Sequence, residues 1–164
     1  GRNLEIMDTE IKIKPSPGAY LFRALEYRLA SNLDIADNDI NNGLLLCEKS
    51  EFIKLVHVKA QLLALGSLIS FQVGNVLRDT KIIDKAIHRA AGALKELSIM
   101  KMPRWVLAQC YEILGNDAEA FTHYTFLLEI KDVVTDEFVP IDYESITQSR
   151  NNIKLKFAQR GIII

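Results

Sequence analysis

A small residue recurs in this chain at a fixed interval of 42 residues, at Ala24, Gly66 and Ala108. Each lies in a stretch whose apolar residues are spaced by three and four, which places them on one face of a helix. A period in this range is typical of stacked helical hairpins, because a single hairpin cannot bury its apolar face and gains stability only from its neighbours. The repeat therefore predicts an all-helical fold with a surface built from helices.

The composition is that of a folded domain without a strong overall charge. The chain has 164 residues, enough for one domain with a proper core, and its 49% of hydrophobic residues argue against disorder over the whole length. Its 20 basic and 21 acidic residues provide no field that would attract nucleic acid or anionic lipid. Lys81, Lys85, His88, Arg89 and Lys95 form a basic side on one helix, which we expect to be solvated. We therefore expect no nucleic-acid partner.

The longest apolar run and the cysteines indicate where the chain resides. The run over residues 62–73 is interrupted by polar residues and is shorter than the roughly 20 residues that a membrane span requires, so we expect no span. Cys47 and Cys110 are too few for a disulfide framework, which predicts buried reduced thiols and a cytoplasmic location. The N-terminus has no signal-peptide pattern and does not begin with Met, as expected of a segment of a longer protein.

Proline, glycine and aspartate mark the predicted boundaries. Residues 1–17 form a polar lead-in that ends in Pro-Ser-Pro, and its alternating pattern predicts an extended or loose segment, the one place where a strand could lie. Asp34 and Asp117 are predicted N-caps, and the connection over 76–80 looks longer than a compact hairpin needs. About seven helices are expected after the lead-in: hairpins at about 18–49, 51–98 and 102–132 and a capping helix at about 142–160.

The third predicted hairpin carries an ordered pattern of residue types. The residue types follow the order large, small, aromatic, turn, small and aromatic. The residues are Leu107, Ala108, Tyr111, Gly115, Ala120 and Tyr124. This pattern resembles the tetratricopeptide family. The resemblance covers about residues 18–132 and is faintest in the first hairpin. The closing proline of the family is absent, and the second hairpin requires an insertion around residues 76–80. The resemblance implies a right-handed superhelix of about three antiparallel hairpins, an α-solenoid, and a different helical hairpin array is the alternative.

The resemblance also implies a concave groove, lined by the first helix of each hairpin, that holds a peptide or a partner helix. The family clamp of Lys, Asn and Arg for acidic chaperone tails is missing here. We expect Phe71 and Trp105 to be apolar anchors, unless they pack only against neighbouring helices. Carried over onto this sequence, the groove positions are Leu21, Leu25, Arg28 and Leu29, then Leu63, Ser67, Ser70 and Phe71, and finally Trp105, Gln109, Glu112 and Ile113.

No sequence motif predicts catalysis or a bound metal. A phosphate-binding Gly-rich loop, a His-Glu-x-x-His motif and a nucleophile elbow are all missing from the sequence. His57, His88 and His123 are dispersed along the chain, with no pair at ligand spacing. We therefore expect no enzyme activity, no cofactor and no metal site.

Two functions remain as hypotheses. The first is a non-catalytic scaffold or adaptor whose groove binds a peptide from another protein. The second is the sensor or oligomerisation domain of a larger bacterial-type regulator, which binds a signalling peptide or a second copy of itself. The apolar end of the chain, residues 162–164, bears on the second hypothesis, because it either folds back, docks on another subunit, or is followed by further chain.

Overall fold

The computed structural model describes residues 2–164, which form eight helices and no strand. The all-helical fold is thus confirmed, with one helix more than expected. In chain order the helices are α1 (Arg2–Ile13), α2 (Pro17–Leu29), α3 (Leu33–Cys47), α4 (Val56–Leu77), α5 (Thr80–Glu96), α6 (Met102–Ile113), α7 (Asp117–Glu129) and α8 (Tyr143–Gln159).

The polar lead-in is helix α1, so the prediction of an extended or loose segment was wrong. Leu4, Met7 and Ile11 are half-buried, and their spacing of three and four is the helical pattern that the alternation had obscured. Asp8 of α1 binds Arg23 of α2, with Oδ1 and Nη1 2.7 Å apart. This ion pair and the apolar stripe attach α1 to the first hairpin.

The remaining helices pair as the sequence predicted. α2 packs on α3, α4 on α5 and α6 on α7, while α8 packs on α7. The first helices of the hairpins also contact one another, α2 with α4 and α4 with α6, and each second helix contacts the first helix of the next hairpin. The hairpins therefore form a continuous row with its first helices side by side.

The turn between α4 and α5 is shorter than expected, and the predicted insertion is not there. α4 runs on to Leu77, and its Gly74 packs directly against Ile83 of α5. Arg78 takes a left-handed conformation with φ 52°, and Asp79 caps α5 by accepting a hydrogen bond of 2.9 Å from the Lys81 amide. The extra residues of this unit lengthen its two helices to 22 and 17 residues.

The N-caps of α3 and α7 lie one or two positions before the residues predicted for them. Asn32 and Asn116 occupy the N-cap positions of α3 and α7, so Asp34 lies two positions and Asp117 one position inside, in the first turns. A carboxylate there still stabilises the helix, because the first turn is the positive end of the helix dipole.

The small residues of the 42-residue repeat lie at contacts between helices. Ala24 and Ala108 are fully buried. A Cβ atom on Gly66 would lie 2.8 Å from Cγ2 of Ile40 in α3 and 3.2 Å from Cδ of Arg89 in α5. Gly66 therefore lets α4 approach both neighbours more closely than any other residue would.

Arg89 is buried rather than part of a solvated basic side. Its Nη1 donates to Asp37, to the carbonyl of Gly66 at 3.1 Å and to the hydroxyl of Ser70 at 3.0 Å. Its Nη2 donates to Oδ1 of Asn41 at 2.8 Å. One guanidinium thus connects α3, α4 and α5.

Helix α4 is the central helix of this row. It is long and apolar enough to cross a bilayer by length and composition alone, and 61% of its apolar window is buried against the rest of the chain. The central helix of a helical domain has the same properties, so the absence of a membrane span stays a prediction.

Candidate functional site

The first helices of the three hairpins share one surface, which we call the first-helix face. Gln61, Leu65, Leu68, Gln72 and Asn75 follow one another on a single side of α4 at helical spacing. Gln72 accepts a hydrogen bond of 3.2 Å from Nε of Arg28 in α2.

The contact between α4 and α6 completes this face. The rings of Phe71 and Trp105 meet edge to face, with centroids 5.5 Å apart. The first-helix face therefore extends from α2 across α4 to α6.

A non-helical segment crosses the first-helix face. The connection between α7 and α8, residues 130–142, is longer than the roughly two to eight residues that usually join two helices. We call its central part, residues 131–141, the strap. Phe138 of the strap packs edge to face on Phe22 of α2, with ring centroids 5.7 Å apart, and the Gln61 side chain of α4 donates to the Asp136 carbonyl.

Glu137 attaches the strap to the start of α6. Its carboxylate accepts hydrogen bonds from the backbone amides of Lys101, at 2.8 and 3.0 Å, and of Met102, at 2.7 Å. These amides have no partner within the helix, and the helix dipole favours a negative charge at this end. Val139 and Ile141 pack against the core beside it. The strap thus touches all three first helices.

The other half of the first-helix face is open. A cleft of about 530 Å³ lies between the ends of α2 and α4. Leu29 and Val76 are 68% and 81% exposed at its edge, so the cleft offers apolar contact area to a ligand. Burial lowers the pKa of Arg28, the one charged residue of the lining. The full lining is Arg28, Leu29, Ser31, Leu33, Phe71, Gln72, Asn75 and Val76.

Three of the groove residues expected from the sequence, Arg28, Leu29 and Phe71, line this cleft. Ile113 lies next to it, in an adjoining pocket that shares Asn75 and Val76. Phe71 is mostly buried against Trp105, so its packing role is evident and only its edge is available to a ligand.

The other predicted groove residues of α2 and α4 lie at contacts between helices. Leu21 is buried and Leu25 packs beside it. Leu63 adjoins Gly92 of α5, and Ser70 binds Arg89. The buried hydroxyl of Ser67 donates to the Ala64 carbonyl at 2.7 Å.

The expected residues of α6 lie beside the last hairpin. Gln109 donates a hydrogen bond of 2.7 Å to the hydroxyl of Tyr124 in α7. Burial raises the pKa of Glu112, which faces Lys156 and Asp117. Trp105 is half-buried between the core and α7. As partner-binding residues, all of these stay a prediction.

Sequence reasoning missed the strap and the polar rim of the cleft. Gln72 and Asn75 form this polar rim. They were not predicted because the family pattern, carried over onto α4, placed the groove at Ser67 and Ser70, which face α5 instead. The length of the connection over 130–142 was the signal that could have indicated the strap, since long ordered connections in compact domains are often functional.

The nucleophilic side chains are in settings that do not activate them. Burial raises the pKa of the Cys110 thiol to about 12 and also raises that of Cys47, so both remain protonated at neutral pH. Burial lowers the pKa of His123, whose ring stacks on Tyr111 with centroids 5.8 Å apart. Within residues 2–164, no group of three or more potential ligand side chains is placed to hold a metal ion.

No known protein family matches this chain, and no curated protein sequence matches it. The likeness to tetratricopeptide proteins therefore depends on the sequence pattern alone and stays a prediction.

Proposed function

We propose that this chain is a non-catalytic protein-interaction module, a scaffold or adaptor of the tetratricopeptide type. In this proposal its three hairpins stack into a right-handed superhelix, and the first-helix face binds a peptide from another protein. The observation that carries the proposal is the strap, because a non-helical segment of the chain itself lies on this face and contacts α2, α4 and α6. A non-helical peptide of a partner protein is a ligand of the same kind.

The open cleft supports the same proposal. Exposed apolar side chains grouped at a concave site are typical of interaction surfaces. Leu29 and Val76 provide such a group, and the Arg28 guanidinium beside them is a fixed polar contact that can orient a ligand. The cleft and the strap lie on one face of α4, so one extended ligand can reach both.

The second candidate is self-association, as part of a larger regulator. Ile163 is 99% exposed, and Leu77 and Val76 are exposed at the turn between α4 and α5. Exposed apolar side chains at these two places are contact sites that a second copy can cover.

The binding proposal is tested by a pull-down from the source organism with quantitative mass spectrometry. We expect the double variant Leu29→Ser, Val76→Ser to lose a partner that the unchanged chain retains, with a binding cost of about 2 kcal/mol or more for the pair. Because both side chains are exposed, the variant should fold as the unchanged chain does.

Leu45→Ser is the matched control. Leu45 is 62% exposed near the end of α3, as Leu29 is near the end of α2, yet it lies outside the cleft. The control should retain the partner. A partner lost equally in both variants, or in neither, would contradict the assignment of the cleft.

A further inference from the structure

We propose, building on the binding function above, that the strap is an internal competitor for the first-helix face. The external ligand is then an extended acidic segment in which an aromatic residue follows a carboxylate, as Phe138 follows Glu137. It binds where the strap now lies and displaces it.

The sites that the strap occupies determine this ligand chemistry. The Lys101 and Met102 amides at the start of α6 bind a carboxylate, and a neutral side chain there would leave these donors without a charged partner. Phe22 is an exposed aromatic ring on α2 that packs against another ring. The Gln61 amide binds the backbone carbonyl of Asp136, the residue before Glu137. Along the strap, a carbonyl at Asp136, a carboxylate at Glu137 and a ring at Phe138 are therefore recognised in this order.

The strap is held weakly enough to be displaced. Phe138 is 43% exposed and Val134 is 96% exposed, and Val139 and Ile141 are only half-buried, so no side chain of the strap is fully buried. A segment with few buried contacts and little backbone hydrogen bonding opens at low free-energy cost.

Its release leaves the last helix in place. α8 is attached to α7 by its own contacts, including the hydrogen bond of 2.9 Å from Arg150 to Thr125 and the ion pair of Lys156 with Asp117. Ile146 and Ile153 of α8 are buried against α7. The strap can therefore leave the first-helix face without unfolding α8.

The test uses a fluorescent synthetic peptide with the sequence of residues 132–141 as the probe. The double variant Glu137→Ala, Phe138→Ala loosens the strap and leaves the first-helix face unchanged. We expect it to bind the probe about tenfold more tightly than the unchanged chain, because a larger fraction of molecules presents a free face. A probe with Gln in place of its Glu should bind the same variant several-fold more weakly.

Two further variants make the test specific. Val134→Ala, at a strap residue that points into solvent, should bind the probe as weakly as the unchanged chain does. Adding Phe22→Ala to the loosened strap should remove the gain in affinity. Should the loosened variant fail to fold by circular dichroism, replacing residues 132–139 by a Gly-Ser segment of equal length serves the same purpose, with the same expected gain.

Equal affinity of the unchanged chain and the loosened variant for the probe would overturn the proposal. So would a loosened variant that binds the Glu and Gln probes equally. The two proposals can be told apart. If the Leu29 and Val76 variant loses its partner but the strap variants bind the probe as the unchanged chain does, the binding function is supported and only the competition by the strap is contradicted.

Discussion

Arg89 shows how one residue can connect three helices of this fold. It is 7% exposed and carries a charge whose burial is tolerated because its guanidinium has partners in α3 and α4. The space for its stem exists because Gly66 has no side chain. Its partner Asp37 also binds Lys85, at 2.8 Å. Removing one member of such a group leaves the others desolvated and unpaired.

The first prediction concerns the carboxylate of this group. Burial raises the pKa of Asp37, but the hydrogen bonds from Arg89 and Lys85 outweigh it and hold the pKa below its ordinary value of 3.8. A lowered carboxyl pKa contributes stability that is present above the ordinary pKa and is lost as the pH falls through the folded-state pKa. We expect Asp37→Asn to cost about 1–3 kcal/mol of unfolding free energy at neutral pH.

Urea unfolding of Asp37→Asn and the unchanged chain, at neutral pH and at about pH 3, checks the sign of this effect. The difference between the two proteins should narrow at the lower pH, because protonation then weakens the native pair. A difference of the same size at both pH values would mean that the charge of Asp37 contributes nothing.

At the scale of elements, the central unit differs from its neighbours by helix length. α4 and α5 have 22 and 17 residues, whereas α6 and α7 have 12 and 13. The longer α4 extends past the turn between α2 and α3 and forms one wall of the cleft with Gln72, Asn75 and Val76. The cleft therefore lies where the 22-residue α4 runs beside the 13-residue α2.

The second prediction concerns the contact of α4 with its neighbours. Gly66→Leu should destabilise the fold by about 1–3 kcal/mol, because the added side chain meets Ile40 and Arg89 where even a Cβ atom is too close. Thermal unfolding followed by circular dichroism measures the loss. Gly18→Leu is the control, since a Cβ atom on Gly18 has no neighbour within 4 Å and α2 gains a better helix former. An unchanged melting temperature in Gly66→Leu would contradict the close packing.

At the scale of the whole molecule, the two ends of the row of hairpins are unlike. α1 covers the first hairpin through Asp8 and Arg23, and α8 covers the last one through Ile146 and Ile153. Ile163 beyond α8 is not covered, so the tail does not fold back onto the last hairpin at this residue. An apolar side chain in this position is available to another subunit.

The third prediction follows from this exposed tail. Light scattering should find a dimer for the chain as given and a monomer for a version that ends at Arg160, because the truncation removes the exposed isoleucines. Phe157 stays in both versions and keeps its contacts with the last hairpin. A monomer in both versions would remove docking through the tail.

The sequence by itself determined the helices, their pairing and the closest contacts between them. These features follow from local information: the spacing of apolar residues places a stripe on each helix, and small residues such as Gly66 and Ala108 permit two helices to meet. The same reasoning failed for α1, where a short alternating pattern also fitted the helical period.

Only the tertiary structure decided which side of α4 is open and where the strap lies. The sequence predicts a buried stripe, but α4 is apolar nearly all round, so its rotation depends on packing against both α3 and α5 at once. The contact of Phe138 with Phe22 joins residues at opposite ends of the chain, and no local pattern encodes such a meeting. The candidate binding face is therefore a property of the assembled helices, because the residues that form it come together only when the hairpins pack.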